Sequence, residues 1–186
     1  MKTIKARIKG TGMGILLHNP AGMATPSNGK KKIPTPEEEA KAGCYFLDDG
    51  ETVAIPSWSL FRALVKAAGA FRDGKIYMSK VVAGAVSVEP AMLSFGTKTY
   101  QIDTRRAVVQ NQGILRSRPL LKDWSLEFDL LVNEEDVSPS AFPMLRAICE
   151  DAGRRVGLGD FRVEKNGPFG KFRVESWEVS MSFQAG

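Results

Sequence analysis

Hydrophobic positions along the chain follow two periods, and each change of period marks an element. In residues 2–9, Ile4, Ala6 and Ile8 share one parity while Lys5 and Arg7 take the other, as in a half-buried strand. Residues 59–72 switch to helical spacing: Leu60, Phe61, Leu64, Val65, Ala68 and Phe71 fall on one stripe, with Ser57 or Ser59 as its cap. The clearest strand is 124–132, where Trp124, Leu126, Phe128, Leu130 and Val132 alternate with Ser125, Glu127 and Asp129. A second helix is predicted over 140–152, capped by Ser138 or Ser140, burying Leu145, Ile148 and Cys149, and stopped by Gly153. The final strand, 171–183, changes parity between Val174 and Trp177, which predicts a bulge near Ser176. Weaker strands are expected at 83–89 and 99–109, and a small hairpin at 45–47 and 53–55 around Asp49-Gly50.

Two stretches break the pattern. Residues 10–43 are rich in Gly, Pro, Asn and Lys and read as an irregular insertion after the first strand. One short helix is expected in it from Pro36, capped by Thr35, with Glu37, Glu38 and Glu39 in a solvated first turn. Residues 89–122 form a second excursion between the middle strands. Without these insertions the order is strand, helix, strand, strand, helix, strand. That order predicts a single α+β domain, a ferredoxin-like or RRM-like βαββαβ core with an antiparallel sheet and two helices on one face. The open face of such a sheet commonly serves nucleic acids.

Composition narrows the function classes. The 186 residues are 43% hydrophobic and 25% charged, a globular balance. No apolar run approaches the length of a membrane span, and residues 1–5 do not read as a secretion signal, so the expectation is a cytoplasmic protein with no membrane association. Two cysteines and one histidine cannot make a disulfide scaffold or the usual zinc set, so neither metal nor cofactor is expected. Neither Cys44 nor Cys149 has a base at a spacing that suggests nucleophilic chemistry. The net charge of +5 is modest, and its distribution is more informative. Bases gather at Lys30-Lys31-Lys32, Arg105-Arg106, Arg116 with Arg118, Arg154-Arg155, and then Arg162, Lys165, Lys171 and Arg173.

The most specific feature is Gly153-Arg154-Arg155-Val156-Gly157-Leu158-Gly159-Asp160-Phe161-Arg162, continuing to Gly167-Pro168-Phe169-Gly170-Lys171. Glycines can bring bare N–H groups against a phosphate, the arginines neutralise it, and Phe161 or Phe169 could stack on a base. No Gly-Lys-Ser/Thr follows, and the stretch precedes a strand, so it is neither a P-loop nor a dinucleotide fingerprint. Arg105, Arg106, Arg116 and Arg118 flank an amide-rich Gln110-Asn111-Gln112-Gly113 turn, which suits either a phosphate grip or a solvated hairpin.

The stretch from Gly157 to Phe172 resembles the glycine-rich loop of the RAMP superfamily, the repeat-associated proteins of CRISPR effector complexes. Ile55-Pro56-Ser57-Trp58-Ser59-Leu60-Phe61-Arg62 is similar to the segment that opens the first helix in that family's repeated backbone subunits, with Ser57, Trp58 and Phe61-Arg62 standing in place of the family's Gly, Ser and Lys-Gly. Leu47-Asp48-Asp49-Gly50-Glu51 resembles the hairpin before it.

The resemblance implies a divergent or phage-borne relative that binds single-stranded RNA, ahead of DNA, and assembles as a homo-oligomer along the strand with other effector-complex subunits. Residues 89–122 would supply a thumb-like hairpin. Carried over by position, Ser57, Ser59, Arg62, Gly157, Gly159, Arg162 and Lys171 would touch phosphates. The basic sites Arg105, Arg106, Arg116, Arg118, Arg154, Arg155 and Lys165 complete the candidate set. Family members that cut target RNA use an Asp after the first strand; the insertion here offers only Glu37, Glu38 and Glu39. Two alternatives stand: a RAMP-type endoribonuclease using His18, or a structural or assembly protein of a phage-like element.

Overall fold

The computed structural model describes residues 1–23, 34–109 and 112–181; Lys30-Lys31-Lys32 and Gln110-Asn111 lie outside the described residues. In chain order the strands are β1 (Lys2–Gly10), β2 (Ile15–Leu16), β3 (Tyr45–Phe46), β4 (Val53–Pro56), β5 (Arg72–Asp73), β6 (Ile76–Tyr77), β7 (Val86–Glu89), β8 (Met92–Ser94), β9 (Gln101–Val109), β10 (Gln112–Leu121), β11 (Ser125–Val132) and β12 (Phe172–Met181). The helices are α1 (Pro20–Met23), α2 (Pro36–Ala42), α3 (Ser57–Ala68), α4 (Met78–Ala85) and α5 (Met144–Asp151).

The main sheet runs β12-β1-β11-β7 and is antiparallel throughout. With α3 and α5, its strands follow the order β1–α3–β7–β11–α5–β12, the ferredoxin-like βαββαβ topology expected from the sequence. Period-two alternation explains which face is covered. Ile4, Ile8, Leu126, Leu130 and Val132 are almost wholly buried against Leu60 and Leu64 of α3 and Leu145 and Ile148 of α5. Each such side chain contributes about 1.5–3 kcal/mol by leaving water. Trp124 closes one end of this core, edge-on to Phe95 at 5.9 Å and to Phe172 at 6.2 Å. The predicted bulge is present: Arg7 faces Ser176 while Ile8 faces Val174, leaving Glu175 as the extra residue.

Several local expectations are corrected. Residues 78–85, partly read as strand, form α4, because Met78, Val82 and Ala85 reach the core at helical spacing; the strand proper is β7. Neither Ser57 nor Ser59 caps α3: its N-cap is Pro56, without a side-chain bond, and the Ser57 N–H donates to Ala91 O at 2.9 Å. Ser138 caps a turn ahead of α5, accepting from the Ala141 N–H at 3.0 Å. Gly153 does not stop α5. The chain runs on as a π-helical turn, Ala152–Val156, and a Cβ on Gly153 would lie 2.1 Å from Phe172 O, so this glycine permits close approach to β12.

Outside the main sheet, β9 and β10 form a long hairpin that β2 extends on the β10 side, and β3, β4 and β8 make a three-stranded sheet leading into α3. The helix expected at Pro36 is α2, with a capping box between Thr35 and Glu38. Glu37 and Glu38 are exposed, but Glu39 is buried, contrary to the solvated setting expected for it.

Candidate nucleic-acid interface

The open face of the main sheet is a ladder of balanced charges. Moving across β12, β1 and β11, Glu178, Lys5 and Asp129 lie in register, as do Ser176, Arg7 and Glu127. Arg7 pairs with Glu175 at 3.0 Å and Glu127 at 3.5 Å, and Lys9 with Asp123 at 2.8 Å. Glu89 of β7 lies beside Asp129. No aromatic side chain stands on this face among the described residues, so it lacks both the stacking groups and the net positive charge that single strands need.

A different surface brings together the two segments that the sequence singled out. The first turns of α3 and the stretch from Val156 to Glu164 form opposite walls of a cleft of about 310 Å³. Ser59, Arg62 and Lys66 come from α3; Gly157, Gly159 and Arg162 come from the glycine-rich turn. The turn is held by its own backbone: Gly157 N–H donates to Ala152 O at 2.8 Å, Leu158 N–H to Gly170 O at 2.9 Å, and Asp160 N–H to Leu16 O at 2.7 Å. Gly159, at φ +75°, carries no Cβ because one would sit 2.2 Å from Leu16 O. Most of the amides expected to face a phosphate are therefore used inside the protein. The Gly159 N–H alone, of the two cleft glycines, is without a backbone partner among the described residues.

Charge in the cleft is mixed. Glu164 is bonded by Lys66, joining the two walls, and by Arg162 at 3.1 Å; Asp160 is paired with Arg118 at 2.5 Å. Arg62 has no acidic partner among the described residues. Its guanidinium lies 5.9 Å from the ring centre of Trp58, which is 52% exposed.

The remaining candidates fall elsewhere. On the hairpin, Arg105 stands directly opposite Arg116. Arg105 bonds Asp103 at 2.6 Å and covers the Phe169 ring at 4.8 Å. Arg116 bonds the buried Glu39 at 2.9 Å, and that carboxylate also accepts the Ser117 N–H at 2.9 Å. Arg106 folds over Gly113, without an acidic partner among the described residues. Arg154 and Lys171 belong to a second depression with Arg173, Glu150 and Asp151, and not to the cleft. Arg154 at 2.8 Å and Arg155 at 2.7 Å both bond Asp151, whose carboxyl is held below the usual carboxylate range chiefly by Arg155. Lys165 is exposed on a short 3-10 turn, and Ser57 does not line the cleft.

His18 lies on the rim of the same cleft. Desolvation lowers its pKa, the Asp160 carboxylate opposes that, and Arg118 and Arg116 press it down further. Burial pushes the Cys44 thiol up to about 11 and raises that of Cys149 as well, so both thiols are protonated at neutral pH. Sequence reasoning missed Trp58, Asp160 and Glu164 as cleft residues. A signal for Trp58 was present: it lies off the Leu60–Leu64 stripe and one helical turn before Arg62.

No protein-family model matches the chain, and no curated protein matches it in sequence. Among solved structures, the fold is similar to a chain in the cryo-EM structure of the Type III-B Cmr-beta bound to cognate target RNA. The TM-score is 0.63 with 11% sequence identity, over 96% of this chain and 60% of that one. This chain thus spans about 60% of the length of the chain it matches. The likeness is one of fold, and it accords with the ferredoxin-like α+β architecture.

Proposed function

We propose that this protein binds a single strand of nucleic acid, RNA ahead of DNA, through its phosphates, as a repeated subunit of a multi-protein CRISPR-type effector complex. One observation carries the reading: Arg62 of α3, which has no acidic partner among the described residues, and the glycine-rich turn line the same cleft. A cation unpaired in the free protein gains most from a phosphate, since no internal pair need be broken first. Arg106 on the hairpin and the exposed Lys165, Lys171 and Arg173 are further phosphate contacts of this kind. The β9–β10 hairpin takes the part of the thumb-like element, reaching the strand beyond the cleft. The likeness in fold to a chain of an RNA-bound Cmr complex supports the choice of RNA and of a multi-subunit setting. A domain of this size covers only a few nucleotides, which favours assembly of several copies along one strand.

Fluorescence-anisotropy titration with single-stranded RNA, single-stranded DNA and duplex tests the proposal. The expected result is tightest binding to single-stranded RNA with affinity falling steeply as salt rises; no binding to any of the three at low salt would overturn it. A second reading, strand cleavage by His18, is favoured by the place of that imidazole on the cleft rim and by its lowered pKa, which leaves it neutral and able to accept a proton at pH 7. Incubation with hairpin RNA beside His18→Ala separates the two, because cutting that survives the substitution excludes this role.

A further inference from the structure

The cleft carries chemistry that phosphate recognition leaves unexplained. Its floor is apolar: Leu17, Ile55, Ala63 and Leu158 line it and none is more than 4% exposed. Trp58 stands at its rim, more than half in water, on a helix whose other large apolar residues face the core. Asp160 and Glu164 add two carboxylates. A phosphate driven to this floor would be stripped of water against hydrocarbon, while the nearby cations Lys66, Arg162 and Arg118 are already paired with Glu164 and Asp160. A nucleobase suits every part of it, because its faces are flat and apolar and its edge carries N–H donors for a carboxylate. Asp160 has the means to accept one: its side chain is 32% exposed, Oδ2 holds Arg118, and Oδ1 has no side-chain partner among the described residues. The Arg62–Trp58 contact, at 5.9 Å, is at the outer limit for a cation over a ring and loose enough to reorganise around a guest.

We infer that the cleft receives a splayed-out base bearing an exocyclic amine, stacked on Trp58 with its amine on Asp160, while Arg62 holds the adjoining phosphate at the mouth. The inference rests on the binding reading above and assigns to the cleft a base where that reading assigns only phosphates. It also gives a use to Asp160 Oδ1, which has no side-chain partner among the described residues and which a phosphate oxygen would repel.

The test uses the full chain with three probes of equal length: a cytidine tract, a uridine tract and an abasic sugar–phosphate oligomer. The cytidine tract is expected to bind about tenfold more tightly than the abasic oligomer, the contribution of roughly one stacked base. Trp58→Ala should lose most of the tenfold preference for cytidine over the abasic oligomer, and Trp58→Phe should restore most of that preference. Cytidine should quench tryptophan emission in the native protein and not in Trp58→Phe, since Trp124 is buried and Trp177 half-buried. Uridine, which carries an oxo group in place of the amine, should bind several-fold more weakly than cytidine. Equal binding of cytidine and abasic probes overturns the inference while leaving the phosphate reading standing. Equal binding of cytidine and uridine overturns the amine contact, and failure of all three probes to bind overturns both readings.

Discussion

The open face of the main sheet and the cleft beside α3 are both lined with basic side chains, but they treat them differently. On the sheet, Arg7 sits between Glu127 and Glu175 and Lys9 is matched to Asp123, so the face is internally neutralised. At the cleft, Lys66, Arg162 and Arg118 are matched to Glu164 and Asp160, whereas Arg62 faces solvent beside an exposed indole. The number of cations on a surface therefore says little about binding. A concave wall and a stacking ring beside a cation that has no acidic partner among the described residues are what separate the two regions; Lys5 on the sheet has no ion pair among them either, but it lies on an open face between Asp129 and Glu178.

Five changes would break or sharpen that contrast. Gly159→Ala should have the largest effect, because it forces a side chain into a left-handed backbone and against Leu16 O. A loss of about 3 kcal/mol is expected, a fall of roughly 10 °C in a thermal melt, together with loss of binding as the cleft wall moves. Glu39→Ala should follow at about 2 kcal/mol, since it strands the Ser117 N–H and leaves Arg116 without its carboxylate. Arg62→Ala should weaken binding about tenfold and lower the salt dependence by roughly one phosphate contact, with no change in melting temperature. Arg7→Ala on the open face should leave binding unchanged and shift stability by less than about 1 kcal/mol; a larger loss of binding from Arg7→Ala than from Arg62→Ala would invert the comparison. The smallest effect concerns pH. The folded Asp151 carboxyl titrates below its unfolded value, so its contribution is complete above the ordinary carboxylate range and fades as pH falls from that range down through the lower folded value. Melts between pH 7 and 3 should show a shallower acid limb in Asp151→Asn, which also frees Arg154 and Arg155.

Elements governed by local periodicity could be read from the chain alone. The strands at Ile4–Ile8 and Leu126–Val132, the Leu60–Leu64 helix, the Thr35 cap and the bulge near Ser176 each repeat or break within a few residues. Features decided by distant partners could not be read. Residues 81–85 are a short run of small apolar residues that suits either period, and packing of 78–85 against α3 settles it as helix. Gly153 looks like a helix stop until β12 is brought within contact distance. Glu39 and Arg116 are 77 residues apart, so nothing in the sequence marks the carboxylate as that arginine's partner. The candidate site was legible to the extent that α3 and the glycine-rich turn were named together. Its acids, its apolar floor and the separation of Arg154 and Lys171 from it all depend on tertiary placement.

Two residues, Ile15 and Leu16, act as a mechanical junction far out of proportion to their length. Leu16 and Ile15 pair with Leu120 and Leu121 at the root of the hairpin, Leu16 O takes the Asp160 N–H from the cleft wall, and Gly14 O just before them takes the Gly170 N–H. A load on the hairpin is borne at its base by the same short rod that braces the cleft. Cargo pulling on one would be felt at the other through a few hydrogen bonds with little slack.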